Sequence, residues 1–211
     1  PNQFAQSNKP LYNFLVKKWY FDELYNIVFI QSSKKIGLFY GSDTGTTEYV
    51  TELILKRIDK VVQINTYDIS EVGSLEFDDY DFLILGLSTW FDGDLQSDWE
   101  SFFAAFKKIN FSKKKVAIYG VGDQIGYGEF FVDGIGILGR VVVDNGGKMI
   151  GAWPTEGYDF EASVAEFIPG WFMGLAIDED NQGEMTEQRI EEWVIQIMAE
   201  FSLITEKGAV A

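Results

Sequence analysis

The chain has 211 residues, enough for one α/β domain with a full hydrophobic core. Its formal net charge of -16 argues against nucleic-acid binding, which needs lysine and arginine to neutralise phosphates, and favours solubility or a basic docking partner. Cysteine and histidine are both absent, which excludes disulfides, thiolate catalysis, histidine triads and metal sites built on these residues, so any chemistry must use carboxylates, hydroxyls, the backbone or a cofactor.

Residues 1–33 are predicted to form an extension in front of the folded domain. Residues 1–10 are polar, and residues 11–31 are crowded with aromatic side chains. We expect this extension to be helical. The N-terminus lacks a basic segment followed by an uninterrupted apolar run, and no run approaches the roughly 20 apolar residues that a membrane span needs. A cytoplasmic protein is therefore expected.

From Lys35 onward the pattern changes to alternating strands and helices. Strands are predicted at Lys35–Tyr40, Val61–Ile69, Asp81–Ser88 and Lys115–Gly120, with two pieces of a fifth strand at Lys148–Trp153 and Phe172–Ile177. Helices are predicted after the first strand, at Trp99–Phe106, at Phe131–Asn145 and from an N-cap at Thr186 to Phe201. This alternation predicts a parallel sheet with helices on both faces and a ligand at the carboxyl ends of the strands.

The loop after the first strand reads GSDTGTTEYV from Gly41 and carries four hydroxyl residues without lysine or arginine. A helix N-terminus offers unpaired N–H groups, and a glycine-containing turn with hydroxyls can surround a phosphate with neutral donors. The loop is not a Walker A motif, because GK[ST] is missing. An ordinary N-cap turn rich in serine and threonine is the alternative reading of this loop alone.

Two further loops follow the third and fourth strands. The first reads STWFDGDLQSDW from Ser88 and places Trp90 directly after a buried strand. The second reads GVGDQIGYGEFF from Gly120 and supplies exposed backbone, Asp123 and Tyr127; its GxGxxxG spacing is a weak near-match to a dinucleotide fingerprint. Two aromatic side chains on neighbouring loops can hold a flat ring between them, so the three loops together describe an FMN site.

The segment from about Lys35 to Phe201 resembles the long-chain flavodoxins. The motifs that carry this resemblance are GSDTGTTE, GLSTWFDGDLQSDW, GVGDQIGYGEFFVDGIGIL, WPTEGYDFEAS and FMGLAIDEDNQGEMTEQRIEEWV. The resemblance implies an α/β, flavodoxin-like, doubly wound sheet of five parallel strands in the order 2-1-3-4-5, the order that flavodoxins exemplify. It also implies an FMN-binding domain at residues 34–205, with a tail at residues 206–211 and the long-chain insertion around residues 154–171.

The resemblance also implies which residues bind the FMN. The phosphate is expected at Ser42, Asp43, Thr44, Gly45, Thr46 and Thr47. The inner side of the ring is expected against the third-strand loop, at Ser88, Thr89, Trp90, Phe91, Asp92 and Gly93. Tyr127 is expected to stack on the outer face of the ring. The pyrimidine end is expected at the backbone of Gly122, Asp123 and Gln124. No catalytic residue and no metal site is expected.

Two positions depart from the family pattern. Val121 stands where a threonine is expected, which removes a hydroxyl but no backbone donor. Phe91 stands where an asparagine often follows the inner tryptophan. In the family the next peptide flips to offer its carbonyl to reduced flavin; here that is the Phe91–Asp92 peptide, with Gly93 easing the change. Phe91 is therefore expected to alter the energy of the flip and the stability of the semiquinone.

By the same resemblance, the protein is expected to be a low-potential one-electron carrier with non-covalently bound FMN, cycling between semiquinone and hydroquinone, and not an enzyme. Its acidic loops are expected to dock a monomeric carrier onto basic redox proteins such as a ferredoxin-NADP reductase. An FMN-dependent NAD(P)H–quinone reductase is the alternative, because related folds occur in such enzymes. A quinone reductase needs an open substrate pocket over the flavin.

Within the extension, KPLYNFLVKKWYFDELYNIVF resembles part of an antiporter-like membrane subunit of complex I. Two interpretations stay open for residues 1–33. They are a native fusion that tethers the carrier to a membrane or a partner complex, or a remnant that forms an amphipathic helix against its own domain.

Overall fold

The computed structural model describes residues 35–58 and 62–203. The helix predicted for the N-terminal extension and the tail predicted at residues 206–211 lie outside the described residues, so both stay predictions. Among the described residues, no helix is long and apolar enough to cross a membrane.

The main sheet is parallel, as the alternating pattern predicts. Its long strands are β1 Lys35–Tyr40, β2 Gln63–Asp68, β3 Phe82–Trp90 and β5 Lys115–Val121, and a two-residue strand, β4 Asp94–Leu95, folds back antiparallel on the end of β3. Two short strands, β6 Lys148–Ile150 and β10 Leu175–Ile177, pair in turn with the first and second halves of β5. The order is β2-β1-β3-β5 followed by β6 and β10 as a split fifth strand, which confirms the predicted order 2-1-3-4-5.

Five α-helices connect and flank these strands in the described part of the chain. They are α1 Thr46–Ile58, α2 Ser97–Phe106, α3 Asp133–Asp144, α4 Glu179–Gln182 and α5 Thr186–Glu200. Each face of the sheet carries a buried apolar layer. One layer contains Trp99 of α2 and the other contains Trp193 of α5, both fully buried. Burying a side chain of this size stabilises the fold by about 2–3 kcal/mol, so helices on both faces hold the sheet in place.

Some predicted boundaries are wrong by a few residues. The fifth strand was predicted to run to Trp153, but β6 ends at Ile150 because Gly151 adopts a left-handed φ of 75° and turns the chain. Helix α3 begins at Asp133 rather than Phe131, because Val132 is itself left-handed with a φ of 50°. Thr186 is the first residue of α5 rather than its N-cap, which is Met185; the Thr186 hydroxyl donates to the Glu179 carboxylate instead.

The segment between β6 and β10 forms its own small antiparallel sheet of three strands. These are β7 Trp153–Pro154, β8 Glu166–Ile168 and β9 Trp171–Phe172. Within this segment Tyr158 donates to the carbonyl of Ala176 at 2.6 Å and accepts from the Trp153 indole at 3.0 Å. The bond to Ala176 therefore ties the segment that was predicted as an insertion to strand β10, which pairs with the end of β5.

Candidate cofactor site

A cleft of about 330 Å³ opens where β1, β3 and β5 end. It brings together the three loops that the sequence singles out, because carboxyl ends of parallel strands share one edge of a sheet. Its lining residues are Thr44, Thr46, Ser88, Thr89, Trp90, Phe91, Val121, Gly122, Asp123, Tyr127, Glu179 and Asp180.

The loop after β1 presents neutral hydrogen-bond donors. Tyr49 donates its N–H to the carbonyl of Gly45 at 2.9 Å, which closes the first turn of α1. The Gly45 N–H donates to the Ser42 hydroxyl at 3.0 Å. The hydroxyls of Thr44 and Thr46, two residues that line the cleft, lie 3.3 Å apart. Because the first N–H groups of a helix have no acceptor within the helix, this end of the cleft suits an anion.

Asp43 is the one charged residue of this loop, and its carboxylate is turned away from the cleft. It accepts hydrogen bonds from the Ser97 hydroxyl at 2.5 Å and from the Gln96 side chain at 2.9 Å. Partial burial raises the pKa of Asp43, but these hydrogen bonds outweigh it and hold the pKa below its usual value. The loop therefore carries a fixed negative charge, which points to Gln96 and Ser97 and away from the neutral donors at the cleft.

Thr47, another predicted phosphate residue, is buried and ties the start of α1 to the sheet. Its carbonyl accepts from the Thr51 hydroxyl at 2.7 Å, and that hydroxyl lies 2.5 Å from the hydroxyl of Tyr119 on β5. Tyr119 fits because residue 86 is glycine: a Cβ there would lie 2.1 Å from the tyrosine oxygen. Thr47 is thus linked through Thr51 to the sheet and holds the start of α1 in place. Its side chain does not line the cleft.

The loop after β3 contributes one wall. The Trp90 indole donates to the Ser88 hydroxyl at 2.9 Å, which fixes the angle of its ring. The next residue, Phe91, has a left-handed φ of 43° and is 63% exposed, with its ring centroid 5.9 Å from that of Trp90. Gly93, at a φ of 92°, donates its N–H to the Trp90 carbonyl and closes the turn. The wall is aromatic, and its tip is a strained turn.

Thr89 and Asp92 complete the residues predicted from this loop. The Thr89 hydroxyl accepts from the N–H of Gly134 at 3.0 Å, so the loop is tied to the start of α3. Asp92 is exposed, and neither it nor Gly93 lines the cleft. Within the described residues, Ser88, Thr89, Trp90 and Phe91 are therefore the members of this loop at the cleft.

The loop after β5 contributes a second wall. Tyr127 lines the cleft and is 51% exposed. The Asp123 carboxylate accepts from the N–H groups of Gly126 at 2.7 Å and Ile125 at 2.9 Å and from the Asn181 side chain at 2.8 Å. Partial burial raises the pKa of Asp123, but these hydrogen bonds outweigh it and keep the pKa below its usual value. This wall carries a fixed negative charge.

Gln124 is buried beneath this wall rather than lining the cleft. Its backbone N–H and its side-chain amide both donate to the Asp178 carboxylate, at 3.1 and 2.7 Å, and its side-chain oxygen accepts from the N–H of Asp159. The N–H of Gly122 likewise donates to the Ile177 carbonyl. The N–H groups of Gly122 and Gln124 are therefore already hydrogen-bonded within the chain. Gln124 joins the loop after β5 to Asp159 and Asp178, and in this way it positions the wall.

Three residues at the cleft were not among the predicted site residues. Val121 is the last residue of β5, and Glu179 and Asp180 begin α4 just after β10. Sequence reasoning considered only the loops after the first, third and fourth strands. The signal that could have found Glu179 and Asp180 was already present, because the second piece of the fifth strand ends at Ile177 on the same edge of the sheet.

The lining chemistry changes from one loop of the cleft to the next. In the order of the strands that precede them, the loop after β1 supplies hydroxyls and N–H groups, the loop after β3 supplies Trp90, the loop after β5 supplies Asp123 and Tyr127, and the chain after β10 supplies Glu179 and Asp180. No lysine or arginine lines the cleft among the described residues. This donor set fits a phosphate ester at one end and a flat aromatic heterocycle beside the two aromatic side chains.

Comparison with known proteins agrees with this geometry. The sequence profile of the family described as Flavodoxin matches residues 38–193. A flavodoxin of Nostoc sp. (strain PCC 7120) is 47% identical over 171 residues, covering 81% of this chain and 99% of the relative. A flavodoxin of Synechocystis sp. is 49% identical over 163 residues, covering 77% of this chain and 95% of the relative. The crystal structure of Fusobacterium nucleatum flavodoxin bound to flavin mononucleotide matches with a TM-score of 0.75 and 34% identity, covering 79% of this chain and 98% of that one.

Proposed function

Because this chain belongs to the flavodoxin family, we propose that its cleft is the site where FMN binds and exchanges electrons. FMN is the cofactor of this family member, and the chain is an electron carrier rather than an enzyme that turns over a substrate. Bound FMN supplies the electron-transfer chemistry, while the residues of the chain bind it, orient it and set its reduction potential. The family and the relatives that match this chain are flavodoxins, and they do not support the alternative function of an NAD(P)H–quinone reductase.

The observation that carries this proposal is the arrangement of donors and aromatic rings along one cleft. The hydroxyls of Thr44 and Thr46 and the first N–H groups of α1 are the proposed phosphate ligands, with Ser42 and Gly45 holding the turn. A phosphate monoester carries about -1.5 to -2 charge at neutral pH, and hydrogen bonds to an ionised group are roughly twice as strong as neutral ones. Neutral donors at a helix N-terminus are therefore sufficient.

The ring is proposed to lie between Trp90 and Tyr127. The bond from the Trp90 indole to Ser88 keeps that ring at one angle, and stacking of flat rings favours such a fixed partner. Tyr127 is half-exposed, so it can cover the ring while leaving one edge open. An open ring edge allows the flavin to accept an electron from one partner protein and to pass it to another.

A low reduction potential is proposed from the carboxylates that line the cleft after β5 and β10. Asp123, Glu179 and Asp180 line it, and the lowered pKa of Asp123 keeps that group ionised at neutral pH. One like charge about 10 Å away at an effective dielectric constant near 20 costs about 1.7 kcal/mol before screening, or roughly 70 mV for a one-electron couple. Added negative charge on the ring is therefore disfavoured, which lowers the potential at which it accepts an electron.

The finer features of the carrier are proposed on the same basis. The acidic surface suits basic redox proteins such as a ferredoxin-NADP reductase, and the proposed carrier is a cytoplasmic monomer whose domain spans residues 34–205. Residues 1–33 and residues 206–211 are proposed as an extension and a tail outside that domain. The extension is the one segment proposed for any contact with a membrane.

An absorption spectrum tests the proposed function. Purified chain, or cofactor-free chain mixed with FMN and passed through a desalting column, is expected to show flavin bands with about one FMN per chain. A colourless protein that retains no added FMN would exclude the cleft as a flavin site.

A further inference from the structure

Asp178 is a fully buried residue that does not itself line the cleft. It comes directly after β10 and is the N-cap of α4, the short helix whose Glu179 and Asp180 do line the cleft. Its carboxylate forms no salt bridge with a lysine or arginine of the described chain. Burying a carboxylate without such a partner is costly unless hydrogen bonds replace the lost water. The hydrogen bonds of Asp178 must therefore account for its burial.

The two carboxylate oxygens of Asp178 hold two different segments of the chain. Oδ1 accepts from the backbone N–H groups of Asp180 at 3.1 Å and of Asn181 at 2.9 Å, at the start of α4. Oδ2 accepts from Gln124 in the loop after β5, from its backbone N–H at 3.1 Å and from its side-chain amide at 2.7 Å. The Asn181 side chain donates both to this oxygen at 3.0 Å and to Asp123 at 2.8 Å. One carboxylate thus joins α4 to the loop after β5.

The direction of the Gln124 side-chain amide makes a carboxylate necessary at residue 178. Its Oε1 accepts from the backbone N–H of Asp159 at 2.5 Å, and a backbone N–H can only donate. Its Nε2 must therefore point to residue 178, as does the backbone N–H of Gln124. The groups of α4 that face residue 178 are also donors, so this residue has to accept on both sides. An asparagine has a single acceptor oxygen and would turn an NH₂ group towards one of the two segments.

The loop that Asp178 holds ends at Tyr127, the aromatic residue proposed to cover the flavin ring. Tyr127 donates its backbone N–H to the carbonyl of Asp123 at 3.1 Å, and the Asp123 carboxylate accepts from the N–H of Gly126 at 2.7 Å. Gln124 lies within the turn that these bonds close. A displacement of Gln124 therefore displaces this turn and, with it, the ring of Tyr127.

The loop after β1, which carries the proposed phosphate donors, has a separate support. Its Asp43 accepts from Ser97 and Gln96 at the start of α2. Within the described residues, none of the hydrogen bonds of Asp178 reaches that loop. The phosphate donors and the aromatic residue Tyr127 are therefore held by different carboxylates.

We propose that Asp178 is a positioning residue for the flavin ring: by joining Gln124 to α4, it holds Tyr127 where this residue can stack on the ring. Asp178 contributes nothing to phosphate binding. This inference rests on the proposed function and adds to it the buried group on which affinity for the ring depends.

The test titrates FMN and riboflavin, which has the ring without the phosphate, into cofactor-free protein, at a temperature where circular dichroism shows each variant to be folded. Asp178→Asn keeps the size of the side chain and is expected to weaken both ligands by the same factor, about tenfold. Asp144→Asn removes an exposed carboxylate at the end of α3, outside the cleft, and should bind both ligands like wild type. A purely structural role would lower only the stability of the folded protein. Wild-type affinities for Asp178→Asn, or a loss confined to FMN, would overturn the proposal.

A double-variant cycle tests whether Asp178 acts through Tyr127. In the Tyr127→Ala background there is no ring left to position, so Asp178→Asn is expected to cost no more than about twofold in riboflavin affinity. In the Trp90→Phe background, which keeps an aromatic side chain in the other wall, it should still cost about tenfold. Equal losses in the two backgrounds would show that Asp178 does not act through Tyr127 and would overturn the proposal.

Two further variants keep the test decisive if Asp178→Asn does not fold. Gln124→Glu alone sets two buried carboxylates against each other, whereas Gln124→Glu/Asp178→Asn exchanges the carboxylate and the amide, and the Asp159 N–H keeps its acceptor. The double variant is expected to bind riboflavin more tightly than Gln124→Glu. Asn181→Ala, at an exposed position, is expected to weaken both ligands by about twofold to fivefold. Wild-type affinity of Asn181→Ala, or the absence of recovery in the double variant, would contradict the proposal.

FMN uptake by the wild type separates this inference from the proposed function. A wild type that takes up FMN, together with an Asp178→Asn variant of equal affinity, overturns this inference and leaves the proposed function standing. A wild type that takes up neither FMN nor riboflavin overturns the proposed function, and this inference with it.

Discussion

The carboxylate of Asp43 accepts a hydrogen bond from the Ser97 hydroxyl at 2.5 Å, and so its negative charge points to the start of α2 rather than into the cleft. Asp43 occupies the middle of a loop that otherwise offers neutral donors to an anion. Its orientation therefore decides whether the loop attracts or repels a phosphate. This arrangement links the stability of the loop to its ability to bind an anion.

The first prediction concerns that hydrogen bond. Ser97→Ala removes this bond and is expected to lower the free energy of unfolding. The loss should be only about 0.5–1 kcal/mol, because the carboxylate is exposed and partly screened. The variant should also weaken FMN binding, since it frees the Asp43 charge.

The same carboxylate makes the stability depend on pH. Since the pKa of Asp43 is lowered in the folded state, its stabilisation is present above the unfolded pKa and is lost as pH falls through the folded pKa. Urea unfolding of wild type and Asp43→Asn should differ at pH 7 and converge in strong acid. A constant difference at both pH values would contradict this assignment.

The second prediction concerns the buried pair of hydroxyls beneath the same loop. Tyr119→Phe removes one hydroxyl of the pair and is expected to cost about 1 kcal/mol, because Thr51 still donates to the Thr47 carbonyl. Thr51→Val leaves the fully buried tyrosine hydroxyl without that partner and is expected to cost more, about 1–3 kcal/mol. The double variant should cost less than the sum of the two single variants, measured by urea unfolding. Simple additivity would show that the two hydroxyls do not interact.

The third prediction concerns backbone strain at Phe91 and Val132, which both have left-handed φ values. Phe91 is largely exposed, so Phe91→Gly relieves strain at little cost in burial and should raise the free energy of unfolding of the cofactor-free protein by up to about 1 kcal/mol. Val132 is fully buried, so Val132→Gly loses packing as well and should destabilise by about 1–3 kcal/mol. Thermal unfolding of the cofactor-free variants measures both effects, and a destabilised Phe91→Gly would refute strain at the tip of this loop.

The fourth prediction concerns association with basic partners. Long-range attraction between exposed charges is screened over about 10 Å at 0.1 M salt. With a net charge of -16, the FMN-loaded chain should therefore reduce or oxidise a basic partner such as a ferredoxin-NADP reductase at a rate that falls steeply with added salt. Stopped-flow measurements over a range of sodium chloride concentrations provide the test. A rate that does not respond to salt would exclude docking through the acidic surface.

Local sequence signals were sufficient for the parallel sheet, whereas the order of its strands was implied by the resemblance to the flavodoxins. Alternating apolar strands and amphipathic helices predicted the parallel sheet, and even the divided fifth strand could be recognised from two separate apolar runs. The same reasoning located the three loops, since parallel strands end at one edge. Boundaries were less certain, because they depend on single backbone conformations such as those of Gly151 and Val132.

The roles of individual side chains could not be predicted in the same way, because they depend on contacts between distant parts of the chain. Asp43 is bound by Ser97, 54 positions away, and Gln124 by Asp178, also 54 positions away. Nothing in the loop sequences indicates that these polar side chains serve to position the walls rather than to line the cleft. Glu179 reaches the cleft only because β10 ends beside the loop after β5.

The most direct test of the account compares FMN with riboflavin, which has the same ring but no phosphate. Both ligands are titrated into cofactor-free wild type, into the double variant Thr44→Ala/Thr46→Ala, and into Thr66→Ala, an exposed threonine on β2 outside the cleft. The double variant is expected to lose at least about tenfold in FMN affinity while its riboflavin affinity stays the same, because hydrogen bonds to a charged group contribute about 1.5–3 kcal/mol. Thr66→Ala should bind both ligands like wild type. An equal loss for FMN and riboflavin, or no loss for either, would contradict phosphate binding by the neutral donors of this loop.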